Sequence, residues 1–351
     1  MGLNINRQKN KNNCINCSFN DIQFKNNPNL KYKGEININF IHFCYGLTDL
    51  FEVFKSYRDN KEYIVSPNER KNLLIISLLD NKVILSLSGH KMKIVSVRYF
   101  INNNNKNEYL VSSDWASVII WDISQKYKLK HKIDTNSCYS TLLTFINDNN
   151  YIIIPSDNKS NFITGGKTKI YSLDNGKYIK NLGSESERVY YLLLWNNKNN
   201  NKYYIIQFAD SVIEIDNLFE KEIYAKLKSE NESRHYSGCI INKEHKDYLC
   251  CSSTNGYIHI WDLHNKNIFK TIKTNNTDLS QVILWNNKYI LVANEKKNSF
   301  IIIDLEIYKV ITEINGKTDS HNLGIKKMIH PKFGETLLTC GNHRIRLWCC
   351  E

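Results

Sequence analysis

Two strand endings of one form, Ile119-Ile120-Trp121-Asp122-Ile123 and His259-Ile260-Trp261-Asp262-Leu263, constrain this chain most, because weaker copies of them recur at a regular interval. Their pattern of apolar, any, apolar, anchor, polar, apolar suits a strand buried on both faces, which keeps its apolar run even when the tryptophan is lost. Five more segments repeat it: Leu74 to Leu79, Lys169 to Leu173, Ile213 to Asp216, Phe300 to Leu305 and Ile345 to Trp348. Their anchors are Ser77, Tyr171, Ile215, Ile303 and Trp348, so the seven anchors are spaced by 44, 50, 44, 46, 42 and 45 residues. Such a period marks one supersecondary unit that buries its apolar faces only against its neighbours.

Within each unit, two runs rich in β-branched and aromatic residues precede the anchor, and a turn and a fourth run follow it. Asp174-Asn175-Gly176-Lys177 before Tyr178 to Leu182 is an example. Asn and Gly tolerate the positive φ of tight hairpins, so the whole chain reads as strands.

The second unit contains Gly89-His90, Ile94 to Val97, Tyr109 to Asp114 and Val118 to Asp122; the fifth contains Tyr248 to Ser253, Asn255-Gly256 and Ile258 to Asp262. In these residues the chain resembles the WD-repeat β-propeller family, from about residue 31 to residue 351. The resemblance implies an all-β fold, a seven-bladed β-propeller of four-stranded antiparallel blades. It also implies structural roles for His90, Ser112, Asp114, Trp121, Asp122, Trp261, Asp262 and Trp348. In the family the histidine bonds the aspartate while serine and tryptophan complete the network. The step from Ser112 to Trp121 is one residue shorter than the commonest family form, and the fifth unit has Asn255 where aspartate is usual.

After Trp348 come only Cys349, Cys350 and Glu351, too few for a fourth strand. Lys31 to Phe43 alternates apolar and polar residues and is expected to supply that strand, closing the ring with an N-terminal strand in the last blade. Residues 1–28 read as an Asn/Lys-rich flexible tail, and 29–351 as one propeller.

At 351 residues and 42% apolar content, one closed ring uses nearly the whole chain. No apolar run is long enough to cross a membrane as a helix, and no signal segment or complete myristoylation pattern is present. Adjacent Cys250-Cys251 and Cys349-Cys350 in strands point to opposite faces, so the ten cysteines read as reduced thiols of a cytoplasmic or nuclear protein. Cys14 and Cys17 have the spacing of half a zinc site, but the other half is missing, so no metal and no cofactor is expected. Gly165-Gly166-Lys167-Thr168 has Asn161 where a phosphate loop needs glycine, and a strand follows it. With no nucleophile elbow and no metal-binding helix motif, the chain does not read as an enzyme.

The formal charge of +12 raises a nucleic-acid reading, but Lys and Arg are scattered over all units. Other family subtypes lose ground on particular residues. There is no Arg-Arg pair of the phosphoinositide-binding kind, and Ser124 and His264 stand where ubiquitin-ligase receptors often have arginine. The favoured reading is a non-catalytic scaffold that holds partner proteins in a complex. An RNA-associated subunit of ribosome assembly or RNA processing is the alternative, and a ubiquitin-ligase receptor the second. The expected contact surface combines the connections between blades with the turns before each third strand, and includes Lys91, Trp115, Arg234, His235, Asn255, His343 and Arg344. Trp115 reads as either a partner anchor or a cap over its blade, the cap being favoured.

Overall fold

The computed structural model describes residues 30–37 and 50–350, apart from 69–70, 103–104, 136–139, 148, 156–166, 184–187, 230–232, 286, 298, 316–321, 333 and 342–343. The described residues form twenty-eight strands and no helix, arranged as seven four-stranded antiparallel sheets.

After β1 (Leu30–Asn37), blade one comprises β2 (Glu52–Lys55), β3 (Glu62–Pro67), β4 (Leu73–Ser77) and β5 (Val83–Leu87). Blade two comprises β6 (Ile94–Ile101), β7 (Glu108–Asp114), β8 (Ser117–Asp122) and β9 (Lys128–Asp134). Blade three comprises β10 (Leu142–Ile146), β11 (Asn149–Ile154), β12 (Thr168–Ser172) and β13 (Tyr178–Leu182). Blade four comprises β14 (Val189–Asn197), β15 (Lys202–Ala209), β16 (Ile213–Asn217) and β17 (Ile223–Leu227). Blade five comprises β18 (Gly238–Lys243), β19 (Lys246–Ser252), β20 (Tyr257–Asp262) and β21 (Asn267–Lys273). Blade six comprises β22 (Leu279–Trp285), β23 (Tyr289–Asn294), β24 (Ser299–Asp304) and β25 (Lys309–Asn315). Blade seven takes β26 (Asn322–His330), β27 (Gly334–Gly341) and β28 (Arg344–Cys350) from the end of the chain and β1 from its beginning.

The first strands of successive blades touch all the way round, β2 to β6, β10, β14, β18, β22, β26 and back to β2, which makes the array a closed propeller. β1 pairs antiparallel with β28, from Leu30 opposite Cys350 to Asn37 opposite Arg344. The expected closure is therefore present; residues 38–43 of the segment that predicted it lie outside the described residues, as does the 1–28 tail.

The core consists of seven apolar clusters, each between two neighbouring blades. Leu73, Ile75 and Leu87 of blade one, for example, meet Ile119, Trp121 and Ile123 of blade two. This is why third strands such as β8 and β24 are buried at every position and read as continuous apolar runs. Cys250 and Cys251 face opposite interfaces, the first toward blade six and the second toward blade four. Outer strands carry exposed lysines, among them Lys128 and Lys132 on β9, which discourage pairing with foreign strands.

Candidate interaction surface

In blade two a buried polar network ties the outer end of the blade to its core. His90 Nε2 lies 2.7 Å from Ser112 Oγ, and Trp121 Nε1 donates to the same oxygen at 2.9 Å. His90 Nδ1 lies 3.1 Å from Asp114 Oδ2. The four residues are therefore joined in spite of the short step from Ser112 to Trp121. Asp114 also accepts from the amides of Lys91 (3.1 Å), Met92 (3.0 Å), Ala116 (2.8 Å) and Ser117 (2.6 Å). Burial alone would raise this carboxyl, but His90 and the backbone amides outweigh it and hold Asp114 well below the ordinary carboxylate range. One carboxylate thus fixes two loops at once, the connection from blade one and the turn from β7 to β8.

The other blades repeat the frame with different chemistry. A bulge interrupts the pairing of the third and fourth strands at Ile120/Trp121, and the matching bulges lie at Ile75/Ile76, Ile170/Tyr171, Ile215/Asp216, Ile260/Trp261 and Ile302/Ile303. The amide two residues past each anchor bonds back to the head of the second strand, as in Ile123 to Glu108, Leu78 to Glu62 and Leu218 to Tyr203. Two expected anchors are corrected by this register. Ile76, and not Ser77, takes the anchor place in blade one; Asp216, and not Ile215, takes it in blade four. Ser77 and Asn217 instead occupy the next position, the one held by Asp122 and Asp262. There Asp122 accepts from the Gln125 amide, Asp262 from His264 and Asn265, and Asn217 from Phe219 and Glu220. The aspartate of a Trp-Asp ending is therefore the cap of the turn into the fourth strand.

In blade seven Trp348 Nε1 donates to Thr339 Oγ1 at 2.9 Å, reproducing half of the blade-two network. In blade five Cys251 stands in the serine position, buried with Trp261 in the same apolar cluster, and Ser252, one residue on, donates to the Ser280 carbonyl across the blade interface. Blade four departs furthest. Gln207 stands in the serine position and donates to Asp216 Oδ2 at 2.5 Å, and Thr168 of blade three holds Gln207 in turn. Glu214 lies beside them and pairs with Lys226 at 2.8 Å. Burial and then the Glu214 charge push Asp216 up to about 7.

The residues expected at the contact surface separate into two groups. Lys91, Trp115, Arg234 and Asn255 are exposed on the end formed by the blade connections and the turns before third strands. Trp115 keeps 38% of its surface open. Arg234 Nε bonds Asp210 at 3.0 Å, and the same carboxylate accepts from Tyr190 at 2.7 Å. His235 is the correction: it is 1% exposed and turned inward, its Nδ1 3.0 Å from the Ser252 carbonyl. Burial pulls His235 down to about 4, so it sits in the core as a neutral ring. It opens a run of buried residues, with Tyr236 and Ser237, that leads into β18. Arg344 pairs with Asn37 through the β28 backbone. His343, Cys14 and Cys17 lie outside the described residues.

Sequence reasoning missed Glu108, which is buried at the opposite end of blade two. It accepts from Ser56 Oγ (3.0 Å), the Tyr57 amide (2.8 Å) and Tyr99 Oη (2.8 Å), joining blades one and two. A lone glutamate opening a strand carries no signal of that role. Exposed apolar residues are also unevenly placed. Among the described residues, Met92 and Trp115 are the large apolar side chains open at the Lys91 end; the rest, such as Tyr57, Leu79 and Phe219, lie on the opposite turns or the outer strands.

No protein-family model matches the chain, and no curated protein matches it either.

Proposed function

We propose that the protein is a WD-repeat-type scaffold without catalytic function, one that holds partner proteins on the loops of a rigid ring inside a complex. The observation that carries this reading is the end of blade two, where Lys91, Met92 and Trp115 are presented by loops that Asp114 locks from beneath. Loops fixed before contact lose little entropy on binding, and an exposed tryptophan is a strong anchor. Cytoplasmic residence accords with Cys250 and Cys251, buried as separate thiols in two interfaces.

The test is affinity purification from the native cell of the wild-type chain and of a Trp115→Ala, Lys91→Glu variant. Loss of at least one co-purifying protein from the variant, with unchanged thermal unfolding, supports the reading; identical sets of proteins overturn it. A second reading, an RNA-associated subunit, draws on the exposed Lys71, Lys91 and Lys93 at the same end of the ring as Trp115, since bases stack on aromatics flanked by cations. It requires RNA retention that falls steeply with salt and is lost in the same variant.

A further inference from the structure

Tryptophan at the anchor position fills a particular space. Trp121 packs against the outer strand of blade one and over Gly89, whose built Cβ would come within 3.2 Å of the indole. Tyr171, Trp261, Ile303 and Trp348 pack in apolar clusters at the matching interfaces, and Ile76 does so in blade one. Blade four puts a short carboxylate there. The space left unfilled opens to the rim as a groove of about 490 Å³ between blades three and four. Tyr178, Ile179, Leu182 and Gly183 of blade three form one wall, Ile223 of blade four the other, and Asp216 lies in the floor.

We infer that this groove is a docking site for an extended segment of a partner protein, which lays an arginine over Asp216 and packs apolar residues on Tyr178, Ile179 and Ile223. It rests on the scaffold reading but uses a surface away from the blade-two loops.

The walls and the floor each contribute an argument. Tyr178, Ile179 and Ile223 are exposed, and Phe219 beside them is exposed as well, so apolar surface collects around a single opening. β13 is the outer strand of its sheet, so its free backbone edge lies along the groove and can take up an extended chain. In the floor, Glu214 and Asp216 are both buried, and the cation that acts on Asp216 is Lys226, which is already bonded to Glu214. Gly183, at φ +75°, lets the two carboxylates approach its backbone; a Cβ there would lie 2.6 Å from Glu214 Oε1. An incoming guanidinium would bring Asp216 a cation not already bonded to Glu214, and its planar fork suits a carboxylate. At the mouth, burial and then the Lys221 charge depress the Lys180 ammonium, and Glu220 and Glu222 share the opening, so an acidic residue next to the partner's arginine has lysines to meet while the arginine has carboxylates.

The probe is an array of fluorescent synthetic heptapeptides that alternate apolar and polar residues around a central Arg-Glu. Each has a counterpart with citrulline, which keeps the shape of arginine and lacks its charge. Fluorescence polarisation with the full chain is expected to find peptides that bind at least tenfold tighter with arginine than with citrulline. Asp216→Asn should abolish that difference, and Ile179→Glu at the mouth should weaken both forms, with thermal unfolding of each variant confirming the fold. Equal binding of arginine and citrulline forms throughout the array, or a difference that survives in Asp216→Asn, overturns the proposal. So does a single-stranded RNA probe that displaces the peptides, since it would assign the groove to an anion. The Trp115→Ala, Lys91→Glu variant should bind the peptides as the wild type does, so failure here and failure of the blade-two surface are read separately.

Discussion

Blades two and four share one backbone frame and fill it in opposite ways. Blade two places Trp121 at the anchor, Ser112 beneath it and His90 with Asp114 above, so that the indole, the hydroxyl, the imidazole and the carboxylate meet one another and the interface with blade one is sealed. Blade four has Asp216 and Gln207 in the corresponding places, with Glu214 replacing the isoleucine seen at Ile119. The difference separates two demands on a repeated unit. The strand frame survives almost any anchor, because its pairing belongs to the backbone. The seal between blades depends on the side chain, and where a short carboxylate stands in place of the indole, a pocket is left.

The contrast can be broken most severely at Trp121. Trp121→Ala removes the indole from a closed interface and leaves Ser112 with one partner fewer. It should cost about 3–5 kcal/mol, read as a lower midpoint in urea unfolding. The same experiment in blade four should run the other way. Asp216 rests at about 7 in the fold against an ordinary 3.8. Below about pH 3 the folded and unfolded chains are both protonated there. As pH rises from 4 to 7 the unfolded chain ionises first, and folding loses about 1.4 kcal/mol per unit, on the order of 4 kcal/mol in all. Asp216→Asn should therefore be more stable than wild type at pH 8 and equal to it below about pH 3; a difference that persists there would contradict the buried, proton-holding carboxyl.

Smaller changes sharpen the comparison. Ser112→Ala strands both Trp121 Nε1 and His90 Nε2 and should cost about 2 kcal/mol. Blade seven has the tryptophan bond alone, so Thr339→Val should cost about 1 kcal/mol. If the two losses measured by chemical unfolding are equal, the His90 arm of the blade-two network contributes nothing to stability.

The architecture was legible because its signal is redundant. Seven apolar third strands at a near-constant period give the number of blades even when five have lost one or both marker residues. Phase within a degraded repeat was harder to read. Leu73 to Ser77 and Ile213 to Asn217 are buried on both faces, so the alternation that would separate one residue from the next is absent. Reading Ile215 as the anchor followed from expecting something apolar there, and a carboxylate in a tryptophan's place breaks that expectation. The bulge and the amide bond two residues on restore the phase, and both belong to backbone register. His235 was misread for a related reason: next to an exposed arginine in a connecting segment, nothing in the sequence distinguishes an inward ring from an outward one. The step of 50 residues to Tyr171 has a simpler source, the long connection from β11 to β12 between Ile154 and Thr168.

The pairing of Leu30 with Cys350 has a consequence for the order of events on the ribosome. β1 precedes the other described strands and its partner follows them, so at about 5–20 residues per second β1 waits some tens of seconds with no neighbour. Six blades can assemble in the meantime, each from contiguous chain, but the seventh cannot. For that interval the nascent protein is an open arc with a bare edge at each end. In the sequence of β1, Lys31, Lys33 and Glu35 are charges of the kind that discourage pairing with a foreign strand.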